Sequence, residues 1–345
     1  MKIIISGYGA VGRYLAELLA EKETVLQDSW GLSITITGIT TGAHGAWIAE
    51  NDAGLRAADI LAAGWPKSGK LPIGAKPIPG DTLDMLRAAP ADLLVEISPL
   101  NPHSGEPALT YVRAALSKGA HVVTANKGPI AHGLHELRTL AETNHCHIRY
   151  ESTVIDGLPV INLAEFTLPA TEFTGVRAIV NATSNYILSG LMAGQSFDET
   201  LSKAQEIGIA EADPSMDLDG WDASVKLTIL ANTLMRADIR PADVERITNA
   251  ELMRQMAQNA PAGSVVKQIG VIRRDDSAPA GIRAKVALEI LAQDDSLAGI
   301  GQGKAALQLQ TDTMNDITII EGPGTPRQTA FGILADIITI ARERK

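Results

Sequence analysis

Lys2-Ile3-Ile4-Ile5-Ser6-Gly7-Tyr8-Gly9-Ala10-Val11-Gly12-Arg13 stands at the head of the chain, and its reading decides the fold. Residues 2–6 form a short apolar run of the kind buried on both faces of a parallel sheet. The glycines that follow have the spacing G-x-G-x-x-G, and Val11, Leu15, Leu18 and Leu19 then recur at helical intervals. Strand, glycine-rich turn and helix, in that order, make the setting a dinucleotide-binding turn requires. Gly7 permits the tight turn, Gly9 lets the backbone approach a pyrophosphate, and Gly12 lets the helix lie close on the strand. Ala10 and Val11 sit at the helix N-terminus, where free N–H groups and the positive end of the dipole attract an anion. A purely structural βα turn is the competing reading, and the complete strand-turn-helix setting disfavours it.

Working outward, the next strand is expected over Ser33–Ile39. An NAD site usually closes this strand with Asp or Glu, which holds the ribose 2′-hydroxyl. Here it runs into Thr40-Thr41-Gly42-Ala43-His44. No acid is present to repel a 2′-phosphate, so NADP is admissible beside NAD, with a slight lean to NADP and with Arg13 or His44 assisting. Residues 45–80 read as a loose helix and loop region. Order returns with a strand over 91–97, a helix over 106–118 and a strand over 120–123. Their carboxyl ends lead into Ser98 and into Thr124-Ala125-Asn126-Lys127. Ligands of open parallel sheets sit beyond such ends, so Ser98 and Lys127 can reach the nicotinamide end of a cofactor or its substrate. The plain alternative for Lys127 is a solvated loop lysine. A helix from about His132 to Thr143 and a strand over 147–150 complete the domain.

Composition bounds the rest. At about 150 residues per domain, 345 residues imply two domains. With 45% hydrophobic and 20% charged residues the chain is globular. The net charge of −10 disfavours a nucleic acid or an anionic membrane as partner. One cysteine, Cys146, excludes an intrachain disulfide and suits a reducing compartment. No apolar run reaches membrane-spanning length, and the N-terminus lacks the pattern of a signal peptide. A cytoplasmic protein is expected. His145, Cys146 and His147 alternate across a strand and do not converge on zinc.

The pattern changes at Glu151. Residues 151–159 read as a strand end, a turn and a proline-started helix. A strand over 176–180 leads into Asn181-Ala182-Thr183-Ser184-Asn185-Tyr186-Ile187-Leu188, a loop rich in hydroxyls and amides that suits a small polar ligand. Helices are expected over 198–207, 221–236 and 328–342, and strands near 265–273, 282–292 and 316–321. Within the second of these helices Asp222 and Lys226 are four apart and share a face. A surface ion pair is the plain reading of that spacing. The expected fold class is α/β: an N-terminal doubly wound Rossmann dinucleotide-binding domain, residues 1–150, then an α+β substrate and dimerisation domain, residues 151–322. Residues 323–345 are expected to pack back on the nucleotide domain as a C-terminal helix.

Taken together, Gly7 to Gly12, Thr124 to Lys127, Glu151 to Pro159, Asn181 to Leu188, Gly208 to Pro214 and Asp219 to Leu227 resemble the homoserine dehydrogenases. The match is colinear and spans almost the whole chain. Thr-Ser-Asn-Tyr-Ile-Leu and Asp-x-x-x-Lys-Leu are its specific segments. The resemblance implies NAD(P)-dependent interconversion of L-homoserine and L-aspartate 4-semialdehyde by a homodimer joined through the second domain's sheet. It makes Lys226 the proton-transfer lysine, Asp222 and Glu211 the substrate-binding acids, and Lys127 and Ser98 neighbours of nicotinamide and substrate. It places Thr183, Ser184, Asn185 and Tyr186 at the substrate and Gly324 at the cofactor. It also implies a Na⁺ ion held by Glu151, Val154, Asp156 and Leu158, largely through backbone carbonyls.

The chemistry agrees with these types of residue. Aldehyde reduction needs a hydride at carbon and a proton at oxygen, and an ammonium can donate the proton and stabilise a developing alkoxide. Either Lys226 or Lys127 can do so, and Lys226 is favoured. The substrate's amino group calls for an anion, which Glu211 or Asp222 supplies. Three positions depart from the family's pattern: Asp156 replaces Gly or Ala, Asn181-Ala182 replaces Asn-Gly, and Thr325-Pro326-Arg327 follows Gly324. They leave open a dehydrogenase of another small hydroxy amino acid or hydroxy acid. A non-catalytic nucleotide sensor is the third alternative, and it has no need of a proton-relaying lysine. The chain stops where the family's catalytic core stops, so no threonine-binding regulatory domain is expected.

Overall fold

The computed structural model describes residues 1–343. Contacts divide the chain into two units, Met1–Pro159 with the segment from Thr325 onward, and Val160–Gly324.

The first unit alternates strands and helices: β1 (Lys2–Ser6), α1 (Ala10–Glu21), α2 (Glu23–Trp30), β2 (Thr35–Thr41), β3 (Gly45–Ala49), α3 (Ala57–Ala63), β4 (Ala75–Ile78), α4 (Thr82–Ala88), β5 (Leu93–Glu96), α5 (Ala108–Ser117), β6 (His121–Thr124), α6 (Lys127–Thr143) and β7 (Ile148–Arg149). The sheet order is β4-β3-β2-β1-β5-β6-β7. The five strands from β2 to β7 are parallel. Their continuous apolar runs follow from burial on both faces: Ile3, Ile4, Ile5, Leu93, Leu94 and Val95 are each 0% exposed. The chain winds one way from β1 to β2 and the other way to β5. This makes the gap between β1 and β5 the switch point at which open α/β sheets bind ligands.

Two expectations need correction here. Residues 45–80 are not loose, because β3 and β4 extend the sheet antiparallel beyond β2. Trp47 of β3 is fully buried and meets Trp65 edge-on at 6.2 Å. Helix α6 starts at Lys127, five residues before the expected His132, because the Asn126 side chain accepts the Gly128 N–H at 3.0 Å and caps it.

The last helix, α12 (Pro326–Glu343), belongs to this unit and lies against α1. Ile333, Ile337 and Ile340 join the same apolar core as Ile3, Leu15 and Leu19. Arg327 holds Glu21 at 2.6 Å.

The second unit contains β8 (Phe173–Ile179), α7 (Ala182–Met192), α8 (Phe197–Glu206), α9 (Ser215–Leu218), α10 (Trp221–Leu234), β9 (Glu245–Ile247), α11 (Ala250–Asn259), β10 (Ser264–Arg274), β11 (Ile282–Ala292), β12 (Ala305–Thr311) and β13 (Ile317–Glu321). Its six-stranded sheet has the order β13-β12-β8-β10-β11-β9. Every pairing is antiparallel except β11 with β9. Helix α10 presses Leu227 onto Gly270 of β10, where a Cβ would lie 2.9 Å from the leucine.

Strands β9 and β12 and helix α11 add to the expected elements. The helix expected from Pro159 is reduced to a π-helical turn, Leu163–Thr167. Asn181–Leu188, read as a loop, is the cap and first turns of α7.

Candidate functional site

The glycine-rich turn of the first unit has the features an anion needs. Gly7 has φ +99°, and a Cβ there would lie 2.5 Å from the Ile97 carbonyl oxygen. Gly12 approaches the Gly7 carbonyl, 2.9 Å from where its Cβ would be. Above Gly9 the space is open, with no atom within 4 Å of a Cβ built there. Gly9 caps α1 without a side-chain hydrogen bond, and the first turn holds no acid. The first-turn N–H groups, at exposed Ala10 and half-buried Val11, therefore face an open cradle that suits a pyrophosphate. After β2 the chain makes a tight turn in which Thr41 Oγ1 accepts the His44 N–H at 2.8 Å. Gly324 is exposed, at the end of the second unit.

Beside the switch point stands a residue that sequence reasoning missed, Glu96. It ends β5 and is 0% exposed. Its carboxylate accepts hydrogen bonds from the Ser98 hydroxyl and, at 3.0 Å, from the Ser98 N–H. Thr124 and Asn126 also reach it. Burial pushes its pKa up to about 7, against the pull of those hydrogen bonds. The Asn126 amide further donates to the Ser98 carbonyl at 3.1 Å. Ser98, Asn126 and the half-buried Lys127 at the start of α6 are thus set by one network. Lys127 is not a solvated loop lysine. The only signal for Glu96 in the sequence was an acid ending an otherwise apolar strand.

In the second unit Asp222 and Lys226 do meet. Their 2.9 Å ion pair is no surface pair, since the side chains are 18% and 16% exposed. Lys226 Nζ also donates to the Val180 carbonyl at 2.6 Å. Asn181 Nδ2 donates to Asp222 Oδ2 at 3.2 Å and to Asp217 Oδ1 at 2.6 Å. Asp217 is a second missed residue. Burial raises its pKa, reinforced by the Asp222 charge and opposed by hydrogen bonds from Asn181 and Thr183. Its place five residues before Asp222, on the short helix α9, gave no helical spacing to flag it. Glu211 is exposed on the turn after α8, with its carbonyl held by Gln205 at 3.1 Å.

Side chains of the α7 segment point into the protein. Thr183 donates to the Ile209 carbonyl at 3.0 Å and so ties α7 to the turn carrying Glu211. Ser184 bonds Gln268 at 2.9 Å. Asn185 donates to the carbonyls of Gly301 at 2.7 Å and Lys304 at 3.0 Å, and accepts from Lys267 at 2.8 Å. Tyr186 is buried with Ala204 and Ala210. The hydroxyls and amides expected to line a loop are instead the polar fastening of a helix.

Oxygen ligands suit a hard cation, and the stretch Glu151–Leu158 offers a buried Glu151 and the carbonyls of a turn. That turn is closed by Leu158 N–H to the Ile155 carbonyl at 2.9 Å. Asp156 has φ +34°, and its Oδ1 accepts from the Thr329 hydroxyl at 2.9 Å. These are the oxygen types a hard cation takes, and one Asp156 oxygen is already engaged by Thr329 of α12.

Two family models match the chain. The family model for homoserine dehydrogenase matches residues 159–338, and that for its NAD-binding domain matches residues 7–151. An NAD(+)-dependent homoserine dehydrogenase of Pseudomonas canavaninivorans is 37% identical, over 98% of this chain and 96% of its own. A homoserine dehydrogenase of Methanocaldococcus jannaschii is 32% identical over 100% of both chains. Among solved structures, a hyperthermophilic archaeal homoserine dehydrogenase in complex with NADPH superposes with a TM-score of 0.81 at 28% identity, covering 99% of this chain and 98% of that one. The homoserine dehydrogenase of Thermoplasma acidophilum gives 0.80 at 26% identity, covering 99% of both.

Proposed function

The chain belongs to the homoserine dehydrogenase family, NAD(P)-dependent oxidoreductases acting on a CH–OH group, and from that premise we propose that it interconverts L-homoserine and L-aspartate 4-semialdehyde with Lys226 moving the proton. The observation that carries the assignment is the half-buried Lys226, held between the Asp222 carboxylate and the Val180 carbonyl.

The nicotinamide ring, when bound, supplies or accepts the hydride. Everything else falls to the chain. Gly7, Gly9 and Gly12 and the N–H groups at Ala10 and Val11 seat the pyrophosphate. Ser98 and Lys127 stand at the nicotinamide end. Asp222 and Glu211, joined by Asp217, take the substrate's ammonium group through charge-assisted hydrogen bonds. Lys226 Nζ gives its proton to the aldehyde oxygen in reduction and receives one from the hydroxyl in oxidation. With no acid at the end of β2, both dinucleotides are admitted, with a lean to NADP. A structural Na⁺ ion would be held by Glu151, Val154, Asp156 and Leu158, largely through backbone carbonyls. The protein works in the cytoplasm as a homodimer joined through the second unit's sheet, which sedimentation equilibrium tests.

The reaction is tested by initial rates at the nicotinamide absorbance band with L-homoserine, run with NAD⁺ and NADP⁺ in parallel. Turnover is expected with both, faster with NADP⁺. Lys226→Ala is expected to bind dinucleotide as before and to lose about 10²- to 10⁴-fold in kcat. Unchanged turnover would remove Lys226 from the mechanism. Silence of folded, dinucleotide-binding protein toward homoserine, with turnover of another small hydroxy acid, would transfer the assignment to that substrate.

A further inference from the structure

Asn181 is 4% exposed, and both ends of its side-chain amide are engaged. Oδ1 accepts the Ser184 N–H at 2.8 Å and caps α7. Nδ2 carries two hydrogens, and it has two carboxylate partners, Asp217 at 2.6 Å and Asp222 at 3.2 Å. The preceding residue, Val180, lends its carbonyl to Lys226, which pairs with Asp222 in turn. One dipeptide therefore touches all three ionisable groups of the cluster.

Capping alone does not explain an asparagine here. Asp, Ser and Asn cap helices about equally well. Among the common caps, only Asn can accept from the helix and donate two N–H bonds to a pair of carboxylates at once. Like charges brought together in a half-buried place repel, and donors placed between them offset that repulsion.

We infer that Asn181 is a positioning residue: its amide holds Asp217 and Asp222 side by side as a paired anionic seat for the substrate's ammonium group, and it keeps Lys226 aligned through Asp222. The inference rests on the homoserine reading above and goes further, by assigning the amino-group specificity to a side chain that does not itself touch the substrate.

Asn181→Ser and Asn181→Asp separate this role from capping, because both retain a capping oxygen. Serine removes the two-armed donor without adding charge, and aspartate turns the donor into a third carboxylate. The readouts are melting temperature, dinucleotide affinity by fluorescence titration, and kcat/KM for L-homoserine and for 4-hydroxybutyrate, which lacks the ammonium group. The serine variant is expected to melt near the wild type and the aspartate variant below it, and both are expected to bind dinucleotide within about twofold of the wild type. The preference for homoserine over 4-hydroxybutyrate is expected to fall by about tenfold or more, mainly through KM for homoserine. A preference unchanged within twofold in either folded variant, or an equal loss of dinucleotide affinity, would overturn the inference. Wild-type protein inert toward homoserine but active on 4-hydroxybutyrate would instead overturn the functional reading.

Discussion

A buried carboxyl at the end of β5 gives the dinucleotide-binding unit a pH dependence of its own. Glu96 is fully buried, and its pKa rises from 4.5 to about 7. Between those values the folded chain holds a proton that the unfolded chain has lost. Stability therefore falls as pH rises through this window. At 1.36 kcal/mol per unit the fall is about 3 kcal/mol. Glu96→Gln keeps the shape and removes the titration. Whatever its offset at low pH, the variant is expected to gain on the wild type by that amount between pH 4.5 and 7 in urea denaturation. Parallel curves would show that Glu96 is ionised throughout. Lys267 illustrates the opposite case among bases. It is 4% exposed on β10 and donates to Asn185 and to the Ile300 carbonyl, and burial pushes its pKa down to about 8. Neither residue was legible in advance. A charged letter inside an apolar strand reads as one solvated position, and only the fold shows what covers it.

At the scale of elements, helix α12 is fastened by a crossing of two glycines. A Cβ on Gly332 would lie 2.9 Å from Gly157 Cα and closer still to Ser152 Oγ; a Cβ on Gly157 would overlap the Gln328 carbonyl. Around this crossing Ser152 donates to the Thr329 carbonyl, Thr329 to Asp156, and the Glu151 N–H to Asp336, each at 2.9 Å. Helix propensity alone says that Gly332→Ala should stabilise by about 1 kcal/mol. The crossing reverses the sign, and a loss of about 1–3 kcal/mol is expected from the overpacking, read by thermal melting. A gain would mean that the helix sits loosely on the turn. The existence of α12 was legible because Ile333, Ile337 and Ile340 keep helical spacing. Elements that lacked a period were harder to read. Strand β4 is four residues long and contains Pro77, a residue tolerated only at an edge or a bulge. Strand β9 has three residues, two of them charged. Strand β12 did carry a signal, Leu307-Gln308-Leu309-Gln310, but its two leading alanines obscured it. The α7 segment misled for a different reason: hydroxyls and amides favour turns locally, and here tertiary partners take up those of Thr183, Ser184 and Asn185.

Over the whole molecule, two readings came from two kinds of evidence. The nucleotide-binding unit follows from local rules, because a strand, a glycine turn and a helix specify one another within a dozen residues. The acid–lysine cluster does not. Asp222 and Lys226 share a helix face, but Asn181 and Asp217 join them from other segments, and sequence spacing carries no trace of that meeting. Assembly lies one step further out, and the second unit's sheet supplies the argument for it. Strand β13 is an edge strand with the sequence Ile-Thr-Ile-Ile-Glu, and it pairs on one side with β12. Within it no lysine, proline or bulge guards the other side, which are the usual protections of a free edge. Ile320 is 54% exposed. An unguarded apolar edge is a template for another strand, and the occupant proposed here is a second copy of the chain. Ile320→Lys places a charge on that edge while disturbing little of the core. Sedimentation equilibrium is expected to give a dimer for the wild type and a monomer, or a dimer weakened at least tenfold, for the variant. A wild type that remains monomeric at micromolar concentration would sink the dimer, and a variant that dimerises equally well would move the interface away from β13.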